Sequence, residues 1–135
     1  MGRVRQRYRR VDFVKCGDVV VVAIPGDYGK PRPALVIQSD LFNDTHASIT
    51  IAPVTSTIVD APLFRLTLDP TPSNGLRSVS QIMIDKLTAV RRDRIGKTVG
   101  RIDGGTMIRV NRALGLWLGR HGQPRRSRAT ERRSS

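Results

Sequence analysis

The chain has 135 residues, enough for one domain with a modest core, and carries 24 Lys or Arg against 11 Asp or Glu, a formal net charge of +13. Its single cysteine, Cys16, excludes an intramolecular disulfide, and no apolar run is long enough to span a bilayer. The charge is unevenly placed: residues 1–10 hold five arginines and no acid, residues 120–135 hold six arginines and one glutamate, and residues 11–119 hold 13 basic and 10 acidic residues.

Both ends lack apolar periodicity. Residues 1–15 and 120–135 are therefore expected to be flexible basic arms around a domain at 16–119. Such arms meet polyanions, nucleic acid first among them, or stay solvated. The N-terminus has no apolar stretch of the kind a secretory signal needs, so a cytoplasmic, reducing location is expected.

VVVVAI (19–24) is β-branched, nearly all apolar and too short for a helix; it predicts a buried strand. PGDYGKP (25–31) is a loop, and PALVIQS (33–39) a second strand. Leu41 to Asp44 reads as a turn or a short helical piece. ASITIAPVTS (47–56) predicts a third strand, in which Pro53 argues for an edge position or a bulge. LFRLTLDP (63–70) alternates apolar with polar residues, as a half-buried antiparallel strand does. TPSNG (71–75) is a turn, VSQIMIDKL (79–87) a fifth strand, RRDRIGK (91–97) a basic turn, and TVGRI (98–102) a short last strand.

Asp103 stands as an N-cap before GGTMIRVNRALGLWLG (104–119), where Met107, Val110, Leu114 and Trp117 share one helical face. Five or six short strands and one amphipathic helix predict a mainly β (α+β) fold, a small, partly closed antiparallel barrel with the helix on one face. Such barrels host many functions, so function must come from the residues.

Metal chemistry lacks ligands in the sequence. One cysteine with His46 and His121 gives no zinc spacing, the aspartates are scattered over loop ends, and no phosphate loop is present, so no cofactor is expected. Three features remain. Arg32 stands between Pro31 and Pro33, which fix their own φ angles and bias the residue before each toward extended backbone. That rigidity suits a guanidinium held for a purpose, although Arg32 also suits a bridge to a carboxylate. Thr55, Ser56 and Thr57 are consecutive hydroxyls at a strand end, equally at home as strand and turn formers. Asp85 and Lys86 read either as site residues or as a surface ion pair.

Their order along the chain carries more weight. Gly17–Asp18–Val19–Val20, then Arg32–Pro33 followed by ALVIQSD, then Pro53–Val54–Thr55–Ser56, then SQIMIDKLTAV, resemble the MazF/PemK family of toxin endoribonucleases from about Gly17 to Leu118. The resemblance implies an SH3-like or CcdB-like barrel and a homodimeric, metal-independent nuclease. Such an enzyme cuts single-stranded RNA, mRNA included, at short sequences, inhibits translation and growth, and is neutralised by an antitoxin protein. It implies catalytic roles for Arg32 and Thr55. It also puts Asp85 at the place of an acid implicated in some members, although Met83 stands where the plasmid-borne branch has an arginine. RNA cleavage without metal uses the 2′-hydroxyl as nucleophile, leaves a 2′,3′-cyclic phosphate, and builds charge that a fixed guanidinium can stabilise.

Candidate RNA contacts are Tyr28, Gly29, Lys30, Pro33, Ser56, Thr57, Gln81 and Lys86; Tyr28 suits base stacking and packing on its own barrel equally well. Two other readings compete. One is a non-enzymatic, CcdB-like gyrase poison, which depends on a tryptophan at the extreme C-terminus; here Trp117 has 18 residues after it and fits the core. The other is a barrel that binds nucleic acid without cutting it.

Overall fold

The computed structural model describes residues 14–24, 26, 29–120 and 122. Tyr28 and nearly all of the two basic arms lie outside the described residues. Residues 19–22 are four valines, and a strand turns alternate side chains to opposite faces. Val19 accordingly enters one apolar cluster while Val20 and Val22 enter another, so β1 (Asp18–Ala23) is covered on both faces.

The chain continues through β2 (Pro31–Val36), the short helix α1 (Asp40–Asn43), β3 (Ser48–Thr55), β4 (Arg65–Leu68) and β5 (Ser80–Met83). A 3-10 turn at Ile84–Lys86 leads into β6 (Thr88–Arg91), and a second at Arg92–Arg94 into β7 (Ile95–Arg101) and the helix α2 (Gly104–Trp117). All strand pairs are antiparallel, in the order β4-β5-β3-β2-β1-β7, with β6 also on β3.

The mainly antiparallel sheet with a terminal helix matches the expectation, with one strand more. The segment read as a single strand over 79–87 breaks at Ile84–Lys86, and the residues after it form β6. Of the two placements expected for Pro53, the edge is not found. β3 is the most connected strand, not an edge, and Pro53 is buried opposite Ala34 of β2. A proline fits there because the other side of β3 has a gap in its ladders: β6 pairs up to Ile51 and β5 resumes at Val54.

Among the described residues no ladder joins β4 to β7. The far edge of β7 is met instead by the turn at 71–75, where the Arg101 N–H donates to the Ser73 carbonyl at 2.8 Å. Two glycines allow that approach: a Cβ on Gly75, whose φ is +71°, would lie 2.2 Å from the Val99 carbonyl oxygen, and one on Gly100 2.3 Å from the Asn74 carbonyl carbon.

Helix α2 starts on the predicted cap. The Asp103 carboxylate accepts from the Thr106 N–H at 2.6 Å. Val110 and Ala113 are buried in the cluster formed with β4 and β5, with Met107 and Leu114 packed against it. Trp117 differs from its expected core role: it is 49% exposed, with its ring 5.6 Å from that of Phe64. At the other end Val14, counted with the arm in the sequence reading, is 2% exposed and packs in the second cluster. No helix among the described residues is long and apolar enough to cross a membrane.

Candidate active site

The site is built where two neighbouring strands separate. The β2–β3 ladder runs from Val36 opposite Ile51 to Ala34 opposite Pro53 and ends there. Pro33 and Pro53 stand at the parting, and neither has an N–H to continue a ladder. Arg32 lies inside β2, opposite Val22 of β1, rather than at the mouth of the strand where the sequence reading put it. β1 extends far enough to pair with Pro31 and Pro33, so the proline-rich segment is strand on one side and open on the other.

A groove of about 640 Å³ occupies this opening. Arg32 lines it from β2 and Thr55 from the end of β3, with Thr57 just beyond. Lys86 and Leu87 line it from the segment joining β5 to β6, and Thr88 from the start of β6. Ile24, Val54 and Met83 add apolar surface, and among the described residues no carboxylate lines the groove. The Thr57 N–H donates to Thr55 Oγ1 at 3.1 Å. That bond uses an oxygen lone pair of Thr55 and leaves its hydroxyl proton as a donor.

Arg32, Thr55, Thr57 and Lys86 are thus brought together from separate stretches of sequence. Pro33 adjoins them at the parting of the strands, and Gly29, Lys30 and Ser56 are exposed on the flanking loops. Gln81 and Asp85 are not in the groove. Gln81 is 3% exposed. Its amide accepts from the Val59 N–H at 3.1 Å and donates to the Val59 carbonyl at 2.9 Å and to Thr67 Oγ1 at 3.1 Å. It therefore fixes the loop that follows Thr57.

Asp85 receives Nε and Nη2 of Arg65 at 2.7 and 3.1 Å, with side chains 15% and 14% exposed. The hydrogen bond from Arg65 holds the Asp85 carboxyl below the usual carboxylate range. Both oxygens are occupied and the group is a weak proton acceptor, which tells against general-base work. Sequence reasoning missed Arg65, because the alternation of β4 assigns it to solvent, and missed Thr88, because β6 was not recognised.

The geometry can be set beside known proteins. Residues 15–118 match the family of PemK-like, MazF-like toxins of type II toxin–antitoxin systems. The chain belongs to this family. It is 48% identical over 104 residues, 76% of its length and 94% of the relative's, to a probable endoribonuclease MazF of Mycolicibacterium smegmatis. The crystal structure of MazE-MazF (form I) from Deinococcus radiodurans superposes with a TM-score of 0.63 at 26% identity, covering 78% of this chain and 96% of that one. A mycobacterial endoribonuclease in complex with its cognate antitoxin superposes with a TM-score of 0.66 at 23% identity, covering 78% and 95%. In this MazF-like chain every described groove-lining residue, from Ile24 to Thr88, falls inside the matched stretch 15–118.

Proposed function

We propose that this chain is a metal-independent endoribonuclease toxin that cuts single-stranded RNA, mRNA included, at a short sequence in the Arg32 groove. The observation that carries the reading is the convergence of Arg32, Thr55 and Lys86 on one groove. Such a surface favours a polyanion and suits phosphate chemistry.

The substrate supplies its own nucleophile. The 2′-hydroxyl attacks the adjacent phosphorus while the bond to the 5′-oxygen breaks. The 2′-oxygen gives up a proton and the 5′-oxygen gains one, leaving a 2′,3′-cyclic phosphate and a 5′-hydroxyl. The phosphorane formed on the way carries its added charge on the equatorial oxygens. Arg32 offers them a planar set of donors on a backbone held by two prolines and the β1 ladder, so little reorganisation is needed as charge develops. Thr55 donates to a phosphate oxygen or orients the 2′-hydroxyl. Flanking nucleotides lie against Tyr28, Gly29, Lys30, Pro33, Ser56 and Thr57.

The family and the relative solved with its antitoxin support a cognate antitoxin as the controlling partner, and the reading takes a homodimer as the working form. The reading also places the action in the cytoplasm, where mRNA is translated. The test is incubation of the full chain with a defined single-stranded transcript in excess EDTA. Cleavage with a 2′,3′-cyclic phosphate end, blocked by a 2′-deoxy nucleotide at the cut, is expected. Dependence on added magnesium, or RNA binding without cleavage, would overturn it.

A further inference from the structure

Opposite β3, the chain between β5 and β6 holds three residues more than the ladder needs. Val54 pairs with Ile82, yet Ile51 pairs with Thr88. The surplus forms the 3-10 turn Ile84–Lys86. Ile84 and Asp85 of this turn are anchored away from the groove. Ile84 is fully buried, and its N–H donates to the Phe64 carbonyl at 2.9 Å. Asp85 is held by both arms of Arg65. The Lys86 carbonyl accepts from the Thr88 hydroxyl at 2.8 Å. The Lys86 side chain remains, exposed and lining the groove.

Arg65 reaches the turn from β4, where it stands opposite Met83. It lines a separate, smaller cavity of about 150 Å³ with Gln81 and Arg109, and not the groove. We propose that Arg65 and Asp85 are a positioning pair, which holds the Ile84–Lys86 turn so that Lys86 meets a phosphate of the bound RNA strand. The inference rests on the reading of the groove as the RNA site.

The physical reason is the nature of lysine. Its ammonium is a compact charge on a flexible stem and does not select a direction by itself. Ordering such a side chain and a loose turn together opposes binding by the lost freedom of both. A shielded, two-bonded guanidinium–carboxylate pair fixes the turn in advance. Only the lysine stem is then left to order when RNA arrives.

The test is a double-mutant cycle read by kcat/KM and by the salt dependence of binding, on a mixed-sequence single-stranded transcript with mapped cut sites. Lys86→Ala is expected to lower kcat/KM about tenfold, the weight of one charge-assisted hydrogen bond. It should also flatten the slope of log affinity against log salt by about 0.7. Arg65→Met is expected to do the same although it touches no RNA, and Arg65→Met/Lys86→Ala to be no worse than Lys86→Ala alone. If Arg65→Met does not fold, Asp85→Asn takes its place in the same cycle. Effects that multiply in the double variant would overturn the positioning role, since a general loss of structure adds to the loss of Lys86. Wild-type kinetics and salt slope in Arg65→Met, or in Lys86→Ala, would overturn it too. A wild-type protein that cuts no RNA overturns the nuclease reading itself, and the proposal with it.

Discussion

The two walls of the groove each present a cation, and they hold it by different means. Arg32 sits between two prolines on β2, with its backbone restricted by its own neighbours in sequence and by pairing with Val22. Lys86 sits on a three-residue turn with no such neighbours, and the turn is fixed by Arg65, 21 positions earlier in the chain, and by the buried Ile84. The first wall is rigid by covalent chemistry. The second is rigid only while β4 and β5 are packed. Local stiffness survives loosening of the fold; tertiary stiffness is lost with it.

The sharpest test of the first wall is Arg32→Ala. Cleavage is expected to fall by about 10²–10³, the usual consequence of losing one preorganised donor to developing charge. Thermal stability should be nearly unchanged, because Arg32 is exposed. Arg32→Lys should also be poor, since an ammonium does not reproduce the planar fork. Near wild-type cleavage by folded Arg32→Ala would remove the groove's assignment.

The second wall should fail through stability. Gln81→Ala removes the partners of both Val59 backbone groups and of Thr67 from a buried position, an expected loss of about 1–3 kcal/mol by denaturant titration. Its effect on cleavage should be a smaller fall in kcat/KM, because the Thr57 loop loosens while Arg32 stays in place. Equal stability of Gln81→Ala and wild type would show that this wall does not depend on the amide.

Acid probes the second wall through the Arg65–Asp85 pair. Asp85 has a folded pKa below its ordinary value of 3.8, so the stabilisation it gives is complete above that value and is lost as pH falls through the lower folded one. Wild-type stability is therefore expected to fall more steeply than that of Asp85→Asn over this range, measured by urea titration at a series of acidic pH values. Parallel acid limbs would mean that the Arg65–Asp85 pair contributes little. The smallest effect is expected from Pro31→Ala or Pro33→Ala. Each should lower stability by about 0.4–1 kcal/mol through greater freedom of the unfolded chain. A slower cut at unchanged RNA affinity would show that the prolines act on the transition state.

What the sequence by itself determined is whatever its short-range constraints control. The run of four valines, the alternation before Asp69, the Asp103 cap and the prolines around Arg32 all act within a few residues, through steric limits on φ or the two-residue period of a strand. Each was legible, and so was the family resemblance that tied Arg32 to Thr55. The tertiary structure decided the rest. Pro53 could stand in the central strand only because β5 and β6 leave a gap beside it. Gln81 and Asp85, polar residues that look available in sequence, are occupied by Val59, Thr67 and Arg65. Those partners lie 14 to 22 positions away. A polar side chain carries no mark of whether its partner will be solvent, substrate or a distant strand; pairing across the sheet assigns it, and that pairing exists only once the core is closed.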